Sequence, residues 1–120
     1  MTNSTVKETT YGYDLLWATG ETYSGKIIVF EKAGSATDMI FHKEKRKSIF
    51  VNSGKINLKW IDTKTGVLNQ SVLSEGQTAN IAELQPHQIE ALQNDTSITE
   101  VGSAELENDV FTIVSNSAKG

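Results

Sequence analysis

A chain of 120 residues, 38% hydrophobic and 22% charged, holds enough apolar surface for one buried core and not for two. A formal net charge of −4 weighs against general nucleic-acid binding, and the absence of cysteine excludes disulfides and thiolate metal sites. No apolar run approaches the roughly 20 residues that cross a bilayer, and the opening Met-Thr-Asn-Ser-Thr-Val-Lys-Glu lacks the apolar centre of a secretory signal. A cytoplasmic protein with neither a membrane nor a nucleic-acid partner is expected.

Residues 1–10 are polar and small and read as a flexible tail. Beyond them apolar residues come in short alternating runs, the period of strands rather than of helices. The first clear run is 26–31, followed by 37–42, 47–52 and 55–61. Turn signals separate them: Lys32-Ala-Gly34, a charged tip at 43–46, Asn52-Ser-Gly54 and Asp62-Thr-Lys-Thr-Gly66. Further strands are predicted at 67–73, 78–81, 87–92, 97–101 and 110–114, and Pro86 stands where a strand can begin without losing a ladder bond. Residues 115–120 read as a second flexible tail. The pattern is all-β, one sandwich or barrel domain over residues 11–114.

Two stretches share a spacing with a known pair of motifs. The first runs Gly34, five residues, Ile40-Phe41-His42, four residues, Lys47, six residues, Gly54. The second runs Gly76, five residues, Ala82-Glu83-Leu84-Gln85-Pro86-His87. Together they resemble the paired signature of the cupins. The flanks Tyr11-Gly-Tyr-Asp-Leu-Leu-Trp17, Tyr23-Ser-Gly-Lys-Ile27, Glu100-Val101 and Glu107-Asn-Asp109 are similar to cupins related to type II mannose-6-phosphate isomerase. The resemblance covers residues 11–114. It implies a double-stranded β-helix, the jelly-roll cupin barrel, with a pocket between its sheets. It also implies sugar or sugar-phosphate isomerase or epimerase chemistry, should the chain be an enzyme, and a homodimeric assembly.

The same alignment of motifs puts Ile40 and Lys47 where the family has metal ligands. Residues two apart on a strand face one side, so His42, Lys47 and His87 are expected to converge in the barrel as a ligand-binding set. A divalent metal prefers three or four imidazole and carboxylate donors, and an ammonium repels it. At about 4 Å and an effective dielectric near 20, two unit charges interact by about 4 kcal/mol. No resident cofactor is therefore expected; a metal would need Glu44 to complete a set of His42, Glu44 and His87. With Lys47 inside, the barrel suits an anionic or polyhydroxylated small molecule such as a sugar phosphate, and Glu83 or Glu100 should lie close to neutralise it. The alternative is that Lys47 snorkels into solvent, as Lys43, Lys45 and Arg46 at the charged tip are expected to do. A non-catalytic dimeric or sensing module is the competing function.

Overall fold

Alternation of inward and outward side chains organises the interior, because a strand packed between two sheets buries one face and wets the other. The computed structural model describes residues 4–104, 106 and 108–115. Among them it contains β1 (Thr5–Glu8), β2 (Gly12–Thr19), β3 (Tyr23–Phe30), β4 (Met39–His42), β5 (Lys47–Ser53) and β6 (Lys55–Ile61). The remaining strands are β7 (Leu68–Ser74), β8 (Thr78–Ile81), β9 (His87–Ala91), β10 (Thr96–Ser103) and β11 (Val110–Val114). There is no helix among the described residues, hence none long and apolar enough to cross a membrane.

The strands form two antiparallel sheets. One has the order β1-β2-β3-β10-β5-β8 and the other β11-β4-β9-β6-β7. Chain neighbours in sequence often lie in opposite sheets, as β4 and β5 or β9 and β10 do, which is the winding of a jelly roll. Their inner faces meet over a core of Ile28, Phe30, Ile49, Val51, Ile56, Leu58, Ile81, Ile89, Ala91 and Ile98.

That core fills only one end of the interior. Along β5 the inward positions run Lys47, Ile49, Val51; along β10, Glu100, Ile98, Thr96; along β9, His87, Ile89, Ala91; along β3, Lys26, Ile28, Phe30. Each strand contributes an ionisable group at one end and hydrocarbon at the other. Glu100 stands opposite Lys26, and Ile98 opposite both Ile28 and Val51, so the interior divides into an apolar plug and a polar chamber.

Several sequence expectations needed adjustment. Thr5–Glu8, assigned to a flexible tail, pair with β2 from Thr5↔Leu16 to Glu8↔Tyr13. All four side chains are exposed, so the strand has no buried face and leaves no alternation to detect. β2 itself was absent from the predicted strands, because Tyr13-Asp14-Leu15-Leu16-Trp17-Ala18 does not alternate cleanly. A bulge between Leu16 and Ala18 explains why: an extra residue reverses the facing pattern midway. Residues 1–3 and 116–120 of the expected tails, and Glu107 of the closing motif, lie outside the described residues.

The β5–β6 turn leaves no room for a side chain at its glycine. Gly54 has φ +83°, and a Cβ placed there would sit 2.9 Å from Thr96 Cα, backbone that cannot move aside. Gly66 has a similar φ of +74° but open space around it. Gly54→Ala is therefore expected to cost on the order of 3 kcal/mol, adding steric overlap to left-handed strain. Gly66→Ala should cost about 1 kcal/mol from strain alone. Urea unfolding of the two variants measures the difference.

Candidate functional site

Register places the charges of the polar chamber. Glu100 on β10 stands directly opposite Lys26 on β3 and one diagonal step from Lys47, whose own partner is Gly102. Directly opposed and diagonal side chains on one sheet face are within reach of each other. Lys26 Nζ lies 3.8 Å and Lys47 Nζ 3.2 Å from the Glu100 carboxylate. Gly102 makes room for the lysine, since a Cβ there would come within 3.0 Å of Lys47 Cβ. Asp14 on β2 continues the row, 3.7 Å from Lys26, and accepts a 2.8 Å hydrogen bond from the Tyr11 hydroxyl. Of the two carboxylates open at the sequence level, Glu100 neutralises Lys47; Glu83 pairs with the exposed Arg46 instead, at 3.2 Å.

The opposite sheet supplies the imidazoles. Ile40 of β4 pairs with His87 of β9, and the His42 and His87 ring centroids are 6.0 Å apart. His42 Nδ1 lies 3.1 Å from the Asp109 carbonyl and His87 Nδ1 2.9 Å from the Gln85 carbonyl. A carbonyl only accepts, so each Nδ1 carries the proton and each Nε2 presents a lone pair. Lys47 Nζ donates to His42 Nε2 at 3.2 Å. His42, Lys47 and His87, predicted to converge, all line one cavity of about 270 Å³, with Ile40, Lys26, Lys45 and Glu100. The Lys47 side chain is 5% exposed, which rules out the snorkelling alternative.

Lys45 corrects the expectation of a solvated tip. It is buried and reaches Glu100 at 3.7 Å. Two features turn it inward. It is two residues before Lys47 and so shares its side, and the Asp109 carboxylate gathers the turn by accepting from the amides of Lys43 (2.9 Å), Glu44 (3.2 Å) and Lys45 (3.2 Å). Asp109 thus fixes both the turn and, through its carbonyl, the His42 tautomer, a role no spacing in the sequence announced. Lys43, Glu44 and Arg46 are exposed.

Burial and charge act together on the titratable groups. Burial lowers the His42 pKa and Lys47 lowers it further. Burial, reinforced by Lys47, brings His87 down to about 3. Burial by itself would raise the Glu100 carboxyl, but the ammonium groups of Lys47, Lys26 and Lys45 outweigh it and hold the pKa at about 2. Lys47 is lowered by burial, with Glu100 opposing. Burial and the Asp14 charge raise the Tyr11 phenol. The resting site therefore holds two neutral imidazoles and an ionised carboxylate shared by lysines.

A divalent metal does not fit this donor set. Two imidazole nitrogens are present, but the ammonium of Lys47 already occupies the approach to one of them. Glu44, the residue that could have completed a His42, Glu44 and His87 set, is exposed on the turn. Among the described residues no group of three or more His, Cys, Asp or Glu is arranged to hold an ion.

No family model matches the sequence, and no curated protein does. Solved structures do. Oxalate decarboxylase from Bacillus subtilis superposes with a TM-score of 0.81 at 19% identity, over 92% of this chain and 30% of that one. The capsular polysaccharide assembling protein CapF from Staphylococcus aureus superposes with a TM-score of 0.80 at 16% identity, over 95% of this chain and 33% of that one. At such identities the likeness carries the fold and nothing more, and this chain spans about a third of either neighbour. The fold is the all-β double-sheet jelly roll of the cupins.

Acid sensitivity follows from the shifts. His87, lowered on folding, contributes stability that is complete above its ordinary 6.5 and lost as pH falls toward about 3. Glu100, also lowered, contributes stability that is complete above its ordinary 4.5 and lost as pH falls toward about 2. Between about pH 7 and about pH 5 the His87 share amounts to about 2 kcal/mol. Urea unfolding at the two pH values should show at least that loss in the wild type and a smaller one in His87→Gln.

Proposed function

We propose that this chain is a cytoplasmic cupin of the mannose-6-phosphate isomerase-like kind that binds a sugar-like or anionic small molecule, such as a sugar phosphate or a carboxylate, without a resident metal. His42, Lys47 and His87 form the binding set. The observation that carries the reading is the Lys47 ammonium. It sits beside a motif imidazole, inside a cavity that strands of both sheets enclose, and supplies a fixed positive charge. A metal-bound cupin offers a Lewis acid there; this chain offers hydrogen-bond donors. Donors of this kind hold oxyanions well and polarise a carbonyl less strongly than a metal does. Binding is accordingly the primary role, and isomerase or epimerase activity is the reaction class if chemistry accompanies it.

The test is thermal unfolding with mannose 6-phosphate, with and without a chelator. A ligand at a hundred times its dissociation constant stabilises the fold by about 2.7 kcal/mol. Stabilisation that survives the chelator and disappears in Lys47→Met supports the reading. Stoichiometric divalent metal in protein purified without chelator overturns it.

A second reading, a non-catalytic homodimeric module, draws on a different surface. A depression of about 740 Å³ is lined in part by Trp17, Tyr23 and Val101, all strongly exposed. Trp17 lies across Gly25, where a Cβ would come within 2.7 Å of its ring, so the indole is presented flat. Exposed apolar patches of this kind mark association sites, and a second copy of the chain is the proposed occupant. Light scattering should give a dimer that Val101→Glu converts to a monomer; a wild type monomeric at every concentration would remove this reading.

A further inference from the structure

His87 is 2% exposed, its Nδ1 is committed to the Gln85 carbonyl, and among the described residues its buried Nε2 has no hydrogen-bond partner. His42 offers the contrast, because its Nε2 receives Lys47 Nζ. Buried polar atoms left unpaired in a native fold ask for an explanation. The explanation here is a ligand donor, since an unprotonated Nε2 accepts a hydrogen bond and cannot give one.

The cavity therefore makes two complementary demands close together. Lys47 supplies a cationic donor, and His87 needs a donor from the ligand. With the two imidazole centroids 6.0 Å apart and Lys47 in contact with the first, both demands fall within the span of one small molecule. Its anionic and hydroxyl groups must be close neighbours. A volume of about 270 Å³ excludes an oligosaccharide, and Ile28, Ile40, Ile89 and Val110 on the same walls suit a short aliphatic substituent.

We propose, resting on the anion-site reading above, that the chamber selects small 2-hydroxycarboxylates, with the hydroxyl donating to His87 Nε2 and the carboxylate received by Lys47. His87 is the specificity residue. A 2-oxo or deoxy analogue keeps the carboxylate contact but leaves Nε2 buried and unpaired, and sites built around a hydroxyl discriminate strongly against ligands lacking one.

Calorimetric titration at neutral pH with 2-hydroxyisovalerate, each enantiomer separately, against 2-oxoisovalerate and isovalerate tests this. The hydroxy acid should bind roughly tenfold or more tightly than both analogues, and His87→Phe should erase that preference while isovalerate binding persists. Should the variant not fold, the His87 Nε2 nitrogen resonance of the wild type provides the second measurement. It should shift with the hydroxy acid and stay unmoved with isovalerate. Equal affinity for the three ligands overturns the hydroxyl selection and leaves the anion site standing. An absence of binding by all three, with mannose 6-phosphate still stabilising the fold, also overturns it. An absence of binding by any anion removes both readings.

Discussion

The Glu100 carboxylate holds the polar half of this barrel together. Removing a carboxylate from water costs several kcal/mol, recovered only by well-placed opposite charge. Lys26, Lys45 and Lys47 lie within 3.8 Å of it, coming from β3, the β4–β5 turn and β5. The same contacts that hold Glu100 ionised keep the lysines indoors, so neither side of the arrangement is stable without the other. The anchor is in the sheet and the motif lysine depends on it.

From that dependence follows the character of the site. In a cupin with a full ligand set, side chains converge as acceptors on a cation that arrives from outside. Here the cation is covalently part of the chain, and the convergence is already satisfied at His42 by Lys47. At His87 the Nε2 lone pair has no hydrogen-bond partner among the described residues. A lysine at position 47 thus places a positive charge in the cavity that the strands of both sheets line. The tautomers are unaffected, because they are set by the Asp109 and Gln85 carbonyls on the far sides of the rings.

Most of the fold could be read from the sequence because most of its strands alternate between core and solvent, and period two is visible wherever that holds; β11, exposed at all five positions, was legible only as an apolar run. Alternation failed at β1, which buries nothing, and at β2, where the bulge at Trp17 breaks the period. Of the candidate site, the motif spacing made legible the convergence of His42, Lys47 and His87 on one cavity. Lys45 was not, since a lysine among lysines on a tip reads as solvated, and only the Asp109 carboxylate folding the turn inward makes it otherwise. Glu100 and Glu83 were equivalent by sequence. Cross-strand register separates them, and register is a long-range property that local pattern does not contain.

The division of the interior also bears on why such a chamber persists. An ionic cluster could in principle be exchanged for hydrocarbon with no loss of stability, and the apolar plug at the other end shows that this barrel packs hydrocarbon well. The polar residues occupy one end of β3, β5, β9 and β10 alike, so the segregation is a property of the assembled sheets. Near that end lie Lys7 of β1 and Val110 and Thr112 of β11, lining the same cavity from the outer strands of the two sheets. These edge strands leave the sandwich open on the side where the charges are. Stability alone gives no reason to place buried charge beside an opening; the proposed binding of an anion would, since the opening is its route in.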